Sequence, residues 1–226
     1  MCHRAQLQEN RRHRLDSHSF QHHIFRQHLG YFASGTLYNS SGHNNGGTQS
    51  GGVTYGAAGK VRTALTFDRI NDYVTVSNVA VNTASGNNNT AIFWIKWDGS
   101  ASTTMPFSFS SLYDLMINGS KLGFNTACSD NFGIAFTAGQ YANNWTQIAA
   151  VFRNNDSLQS QLFINGVQQS LSLSGSVCTN KAASANMLFG AWGGPAYFFG
   201  GSLDDVRIYN RALSASEISA LYNSTR

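Results

Sequence analysis

Residues 201–222 read Gly-Ser-Leu-Asp-Asp-Val-Arg-Ile-Tyr-Asn-Arg-Ala-Leu-Ser-Ala-Ser-Glu-Ile-Ser-Ala-Leu-Tyr. Leu203, Val206 and Ile208, set against Arg207 and Tyr209, predict a half-buried strand, because successive side chains of a strand point to opposite faces. Ser214 and Glu217 form a capping box: the serine oxygen accepts from the third helical amide and the glutamate reaches back to the serine amide. Ile218, Leu221 and Tyr222 then share one face of a short terminal helix. The chain therefore ends in a strand, a turn and a helix whose apolar face must lie against a sheet.

The strand pattern continues upstream. Leu65-Thr66-Phe67-Asp68-Arg69-Ile70-Asn71-Asp72-Tyr73-Val74-Thr75-Val76 reads as two strands about a tight turn. Residues 145–152 and 162–167 read as another pair, with Asn165-Gly166 supplying the positive φ that a two-residue hairpin needs. Strands are expected near 52–55, 63–68, 73–76, 90–96, 106–110, 114–118, 121–125, 132–137, 145–153, 159–164, 167–171, 186–190 and 200–209. Short strands in quick succession between turn residues predict two packed antiparallel sheets. Alternation predicts an inward face that includes Phe67, Val74, Val76, Ile92, Trp94, Phe107, Leu115, Phe124, Ile134, Ile148, Phe152, Leu162, Leu188, Val206 and Ile208.

Four of these segments, in order, carry a family resemblance. The 201–222 stretch resembles the last strand and closing helix of laminin-G-like jelly rolls, in the concanavalin A-like lectin/glucanase superfamily. Phe67-Asp68 with Asp72-Tyr73-Val74 is similar to the family's opening hairpin, although Arg69 stands where glycine is usual. Trp145 to Phe152 and Leu162-Phe163-Ile164-Asn165-Gly166 are similar to its central strand pair, with Gln147 in place of the customary histidine. Tyr38 to Thr48 is similar to its lead-in. The resemblance spans about residues 36–223 and implies an all-β, two-sheet antiparallel jelly-roll sandwich with a short C-terminal helix.

A chain of 226 residues suits one such sandwich, since single β domains run to about 250 residues. Charged residues are 12% of the chain, well below the roughly 25% of average proteins. Of the net +4, residues 1–28 contribute +3, from five arginines against Glu9 and Asp16. The domain proper is nearly neutral and has no basic stripe, which argues against nucleic acid as a partner. The arm over residues 1–30 also holds six of the seven histidines. It has no cysteine or carboxylate at a structural zinc spacing and reads as a poorly ordered extension to a domain over residues 31–226. Its start lacks the roughly 7 to 15 apolar residues of an export signal, and nowhere do about 18 apolar residues run together, so no membrane span is expected. The surface, rich in hydroxyl and amide side chains, and the family resemblance still point to an extracellular or cell-surface setting. Cys128 and Cys178 read either as a bridge or as two unrelated thiols, since sequence does not show whether their β-carbons approach.

Glycosidase chemistry would have to come from the carboxylates. Retaining glycoside hydrolysis uses two carboxyl groups about 5 Å apart, which the glucanase branch of the superfamily draws from a Glu-x-Asp-x-Glu strand. This chain has two glutamates, Glu9 in the arm and Glu217 in the cap, and Asp204-Asp205 are adjacent on a strand. No enzyme is expected. The resemblance implies instead a calcium ion, for which Asp68 and Asp72 with Asp204 or Asp205 are the candidate ligands; calcium takes roughly six to eight oxygens. Alternatively, these aspartates serve their own turn amides.

Sugar recognition combines aromatic faces with placed amides and hydroxyls. Candidates are Trp192 and Tyr197 in a glycine-rich loop, Trp97 after a strand, Tyr141 and Asn143 before Trp145, and Asn125 with Asp130 in a polar loop. The expected function is a non-catalytic extracellular recognition or adhesion module whose partner is a glycan or glycoconjugate. The alternative is a structural surface or particle component that makes protein contacts through the same fold, and a glycoside hydrolase is the least favoured reading.

Overall fold

A computed structural model describes residues 23–33, 36–43, 45–61, 63–128, 130–178 and 181–226. Its strands are β1 His23–Ala33, β2 Thr36–Asn39, β3 Gly47–Ser50, β4 Thr54–Ala58, β5 Thr63–Asp68, β6 Tyr73–Val76, β7 Asn88–Trp97, β8 Thr104–Phe109 and β9 Tyr113–Asn118. They continue as β10 Lys121–Asn125, β11 Asn131–Ala135, β12 Thr146–Arg153, β13 Gln161–Ile164, β14 Val167–Gln168, β15 Ser172–Ser174, β16 Met187–Phe189 and β17 Gly200–Tyr209. A helix over Ala215–Thr225 closes the chain.

The strands form the two antiparallel sheets of a jelly-roll sandwich. The first runs β14-β13-β12-β7-β17, with β5 and then β4 beside the first half of β17. The second runs β2-β3-β6-β16-β8-β9-β10-β11-β15. Strand β1 joins them, pairing with the second half of β17 at its start and with β2 at its end. The boundary expected at residue 30 thus falls inside a strand, and the sandwich includes residues from His23 onward. Residues 1–22 of the expected arm lie outside the described residues. Strands β1, β2 and β3 escape a reading by alternation because β1 does not alternate apolar with polar residues and β2 and β3 are only four residues long.

Between the sheets, Phe152 of β12 meets Phe107 at 5.7 Å, Phe109 at 5.1 Å, Tyr113 at 4.8 Å and Phe124 at 5.0 Å between ring centroids. These rings come from β8, β9 and β10 of the opposite sheet and are fully buried. Offset and edge-on ring pairs of this kind contribute beyond their buried area. A smaller apolar cluster, which includes Ile92, Phe163, Tyr209, Ile218 and Leu221, lies on the outer face of the first sheet beneath the terminal helix.

Two residues expected in the main core face that helix instead. Ala91, Phe93, Ile95 and Trp97 of β7 point between the sheets, so Ile92 and Trp94 point the other way. Trp94 stacks near Tyr222 at 5.8 Å and donates from Nε1 to Thr225 Oγ1 at 3.1 Å. Leu188 likewise faces away from Met187 and Phe189, which are in the core. A strand buried on both faces reads as a continuous apolar run, so alternation cannot assign its faces. In β17, Leu203, Val206 and Ile208 all reach the core because a bulge falls between Asp204 and Arg207, with Asp205 at φ 46°. The extra residue restores the inward phase after an odd spacing.

The capping box forms as expected: Ser214 Oγ accepts from Glu217 N at 3.3 Å and Ser214 N donates to Glu217 Oε2 at 2.8 Å. Arg211 adds an ion pair at 2.8 Å. Its hydrogen bond, ahead of those from Ser214, lowers the Glu217 carboxyl to about 2.

Replacing Phe152 with alanine should cost about 3 to 5 kcal/mol in urea unfolding, because a fully buried ring between two sheets leaves a cavity. Glu217 supports a stability increment that is fully present above its usual titration range and is lost as pH falls towards about 2. Acid unfolding of Glu217→Gln should therefore lack this component of the pH dependence between about 4.5 and 2.

Candidate functional site

Alternation in the second sheet sets the chemistry of its outer face. With Phe107, Phe109, Tyr113, Leu115, Ile117, Leu122 and Phe124 pointing into the core, the residues between them must point outward. These are Ser108 on β8, Asp114 and Met116 on β9, and Gly123 and Asn125 on β10. Register aligns Ser108, Asp114, Asn125, Asn131 and Ser174 across β8, β9, β10, β11 and β15. The first four alternate with residues in or packed against the core, so the outer face carries a polar row backed by core rings. Gly123 opposes both Met116 and Gly133, and its missing Cβ leaves the space in which the Asn131 amide lies.

Two loops wall the Asn125, Asn131 and Ser174 part of this row into a cleft of about 460 Å³, a volume in the usual range of small-ligand sites. One wall is the loop between β16 and β17. Met105 N donates to Tyr197 O at 2.9 Å and Ser108 Oγ to Ala191 O at 3.0 Å, which fastens the loop over β8. Trp192 and Ala196 close its tip as an isolated bridge. The Trp192 and Tyr197 rings meet edge to face at 6.2 Å, the first half-buried and the second 51% exposed. Tyr197 sits at φ 53°, a left-handed conformation that is uncommon for a bulky side chain.

The opposite wall is the 125–130 loop. Asn125 Nδ2 donates to Cys128 O at 3.0 Å and to Asp130 O at 2.8 Å, and Ala127 N donates to Asn125 Oδ1 at 2.9 Å. The Asp130 carboxylate accepts from Thr126 N at 3.0 Å and from Thr126 Oγ1 at 3.0 Å. Cys128 and Cys178 are bridged, with Cα atoms 5.6 Å apart, which decides between the two readings of these cysteines. The bridge ties this wall to the segment after β15.

The cleft brings together four of the expected ligand contacts, Trp192, Tyr197, Asn125 and Asp130. Trp97, Tyr141 and Asn143 do not line it. Trp97 is fully buried in the core, with its ring 5.6 Å from Phe136, which stacks on Tyr141 at 4.1 Å. Asn143 turns the backbone at φ 60° and donates from its amide to Trp97 O at 2.7 Å. These three hold a corner of the sandwich together, because the tryptophan before Asp98-Gly99 is still in phase with the core face of β7.

Met116, Asn118 and Ser174, which sequence reasoning missed, also line the cleft, as does Asn131 of the polar loop. Asn131 Oδ1 is buried and has no hydrogen-bond partner. Asp114 lies in the same polar row, is fully buried, and has no partner for either carboxylate oxygen. Burial, and secondarily the charge of Asp130, raise its carboxyl well above the usual range. An acidic residue between Tyr113 and Leu115, two apolar neighbours on one strand, is the sequence signal for it.

The four candidate calcium ligands are not gathered into one shell. Asp68 Oδ1 accepts from Ile70 N at 2.7 Å, and Asp72 accepts from Asp68 N at 3.0 Å and from Gly52 N. Asp204 accepts from Val61 N at 2.8 Å, and Asp205 forms a paired contact with Arg207 at 2.8 Å. Register places Asp68 opposite Gly200, four residues before Asp204, which is roughly 13 Å along the strand. Among the described residues no group of three His, Cys, Asp or Glu side chains could hold a metal ion. These carboxylates serve turn amides and a buried ion pair, and they do not fit a calcium site.

Residues 68–219, about two thirds of the chain, match a laminin-G family model described as concanavalin A-like lectin/glucanases superfamily. The chain belongs to the concanavalin A-like lectin/glucanase superfamily. No curated protein matches this laminin-G-like chain. Among solved structures it is similar to the botulinum neurotoxin serotype D binding domain, at TM-score 0.65 and 16% identity over 90% of this chain and 52% of that one. It is also similar to the botulinum neurotoxin type G receptor binding domain, at TM-score 0.65 and 16% identity over 89% and 51%. A serotype D ligand binding domain in complex with N-acetylneuraminic acid matches at TM-score 0.64 and 18% identity over 90% and 51%. The chain thus spans about half the length of these neighbours, and at such identities the likeness concerns the fold. Among the described residues no helix is long and apolar enough to cross a membrane.

Reduction of the Cys128–Cys178 bridge should lower the melting temperature, by an amount corresponding to at most about 4 kcal/mol for a loop of this length, measured with and without reductant. For Asp114 the raised carboxyl means that the folded state holds a proton the unfolded state releases. Stability should therefore fall as pH rises above the usual aspartate range towards the raised value. Asp114→Asn should lose that dependence and melt higher than the parent at neutral pH.

Proposed function

We propose that this laminin-G-like domain is a non-catalytic carbohydrate-recognition module and that the sugar sits in the cleft between the Trp192–Tyr197 loop and the bridged 125–130 loop. The observation that carries this reading is the composition of the cleft. Trp192 and Tyr197 offer ring surface at one wall, and Asn118 and Asn131 offer amides from the floor. Ring faces pack on the C–H surface of a pyranose while amides pair with its hydroxyls. The complex of a fold neighbour with N-acetylneuraminic acid is consistent support from a different protein.

The carboxylates support a binding role over hydrolysis. Asp130 spends its oxygens on Thr126 and Asn125, and Asp114 is fully buried. Neither presents a free carboxyl on opposite sides of a bond, as glycoside hydrolysis requires. The disulfide favours an oxidising, extracellular or cell-surface setting. Binding is proposed to proceed without calcium, since the candidate carboxylates are committed elsewhere.

A glycan array probed with the purified chain, with calcium and with a chelator, tests this reading. Retention on a defined glycan set that is equal in both conditions is expected. Replacing Trp192 and Tyr197 together with alanine should weaken retention at least about tenfold, equivalent to about 1.4 kcal/mol, without lowering the melting temperature appreciably. Silence across the array from folded protein would favour the protein-contact role of a structural surface or particle component.

A further inference from the structure

The cleft's polarity is one-sided. Among the described residues its lining contains one acidic side chain, Asp130, and no lysine, arginine or histidine. Directly along the polar row lies a second carboxyl, Asp114, whose neighbours give it no donor: Ser108 donates to Ala191 O and Asn125 Nδ2 to Cys128 O and Asp130. The nearest cation on this face of β10 is Lys121, and its Nζ is turned towards β15, donating to Ser172 O at 2.7 Å and to Ser172 Oγ at 3.3 Å. The unpartnered Asn131 Oδ1 is an acceptor, so it calls for a ligand rich in hydroxyl or amide donors. An anion entering this space would meet acceptors and a carboxylate with no compensating charge, and acidic groups without a cationic partner are costly to desolvate.

We propose that the cleft takes uncharged sugars and rejects acidic ones, sialylated, uronic or sulfated, with Asp130 as the residue that sets the exclusion. This rests on the carbohydrate reading and narrows it to a ligand class. It also separates this domain from the neighbour solved with N-acetylneuraminic acid, an acidic sugar, despite the shared fold. Two like charges several ångströms apart in a partly buried cleft interact strongly enough to discriminate by about tenfold or more.

The test compares neutral glycans with the same glycans capped by sialic acid or sulfate, at low and at high salt. Neutral glycans should be retained and their acidic counterparts bound at least about tenfold more weakly. The gap should narrow from about 0.01 to 1 M salt, as the screening length shrinks from roughly 30 to 3 Å. Asp130→Asn should narrow it at low salt, and the salt series on the parent protein gives the same information should that variant fail to fold. Equal or tighter binding of acidic glycans would overturn this inference while leaving sugar recognition standing. A gap that ignores salt would overturn the electrostatic cause, because a steric block on capped glycans does not respond to screening. Silence on neutral and acidic glycans alike would overturn both readings.

Discussion

The contact on which the structure depends is the packing of Phe152 from one sheet into rings supplied by three strands of the other. Phe107, Phe109, Tyr113 and Phe124 must all point inward to enclose it. In a pleated strand that choice also fixes the neighbours, because a one-residue slip would move every side chain to the other face. The same constraint that closes the core therefore delivers Ser108, Asp114, Met116 and Asn125 to the outer face of the second sheet. Core and candidate site are two sides of one register.

The walls of the cleft depend on separate devices. The Trp192–Tyr197 loop is held by backbone hydrogen bonds to β8 and by the Ser108 hydroxyl, so the aromatic wall is mounted on the strand that supplies the core rings. The 125–130 loop is fixed by a compact set of side-chain bonds among Asn125, Thr126 and Asp130 and by the bridge to Cys178. Both walls are thereby preorganised, which reduces the ordering cost that a ligand must overcome. The buried oxygens of Asp114 and Asn131 Oδ1 have no hydrogen-bond partner, and polar groups of that kind concentrate where a site has a task beyond stability.

The terminal strand and helix show how local and distant constraints combine. Ser214, Glu217 and the apolar face of Ile218 and Leu221 are local signals, and they form the cap and the packing face that their spacing dictates. Strand β17, by contrast, needs a bulge at Asp205 to bring Leu203, Val206 and Ile208 into one core. That bulge is also what commits Asp205 to Arg207 and Asp204 to the Val61 amide. The aspartate pair that resembles a ligand motif in one dimension is a structural element in three.

Taken alone, the sequence determined the jelly-roll class, the closing helix, most strands from β5 onward and the two loops that carry Trp192, Tyr197, Asn125 and Asp130, because alternation, caps and turn residues are local in the chain. It left the first fifty residues without strands β1, β2 and β3, because β1 does not alternate and β2 and β3 are only four residues long. It also misassigned Ile92, Trp94 and Trp97, since a strand apolar on both faces gives alternation nothing to read. Only the tertiary structure decided that Cys128 meets Cys178, that the four aspartates stand apart, and that Met116, Asn118 and Asn131 share one cleft. The shared cleft follows from register across β9, β10 and β11, and register is set by the packing of rings on the opposite face.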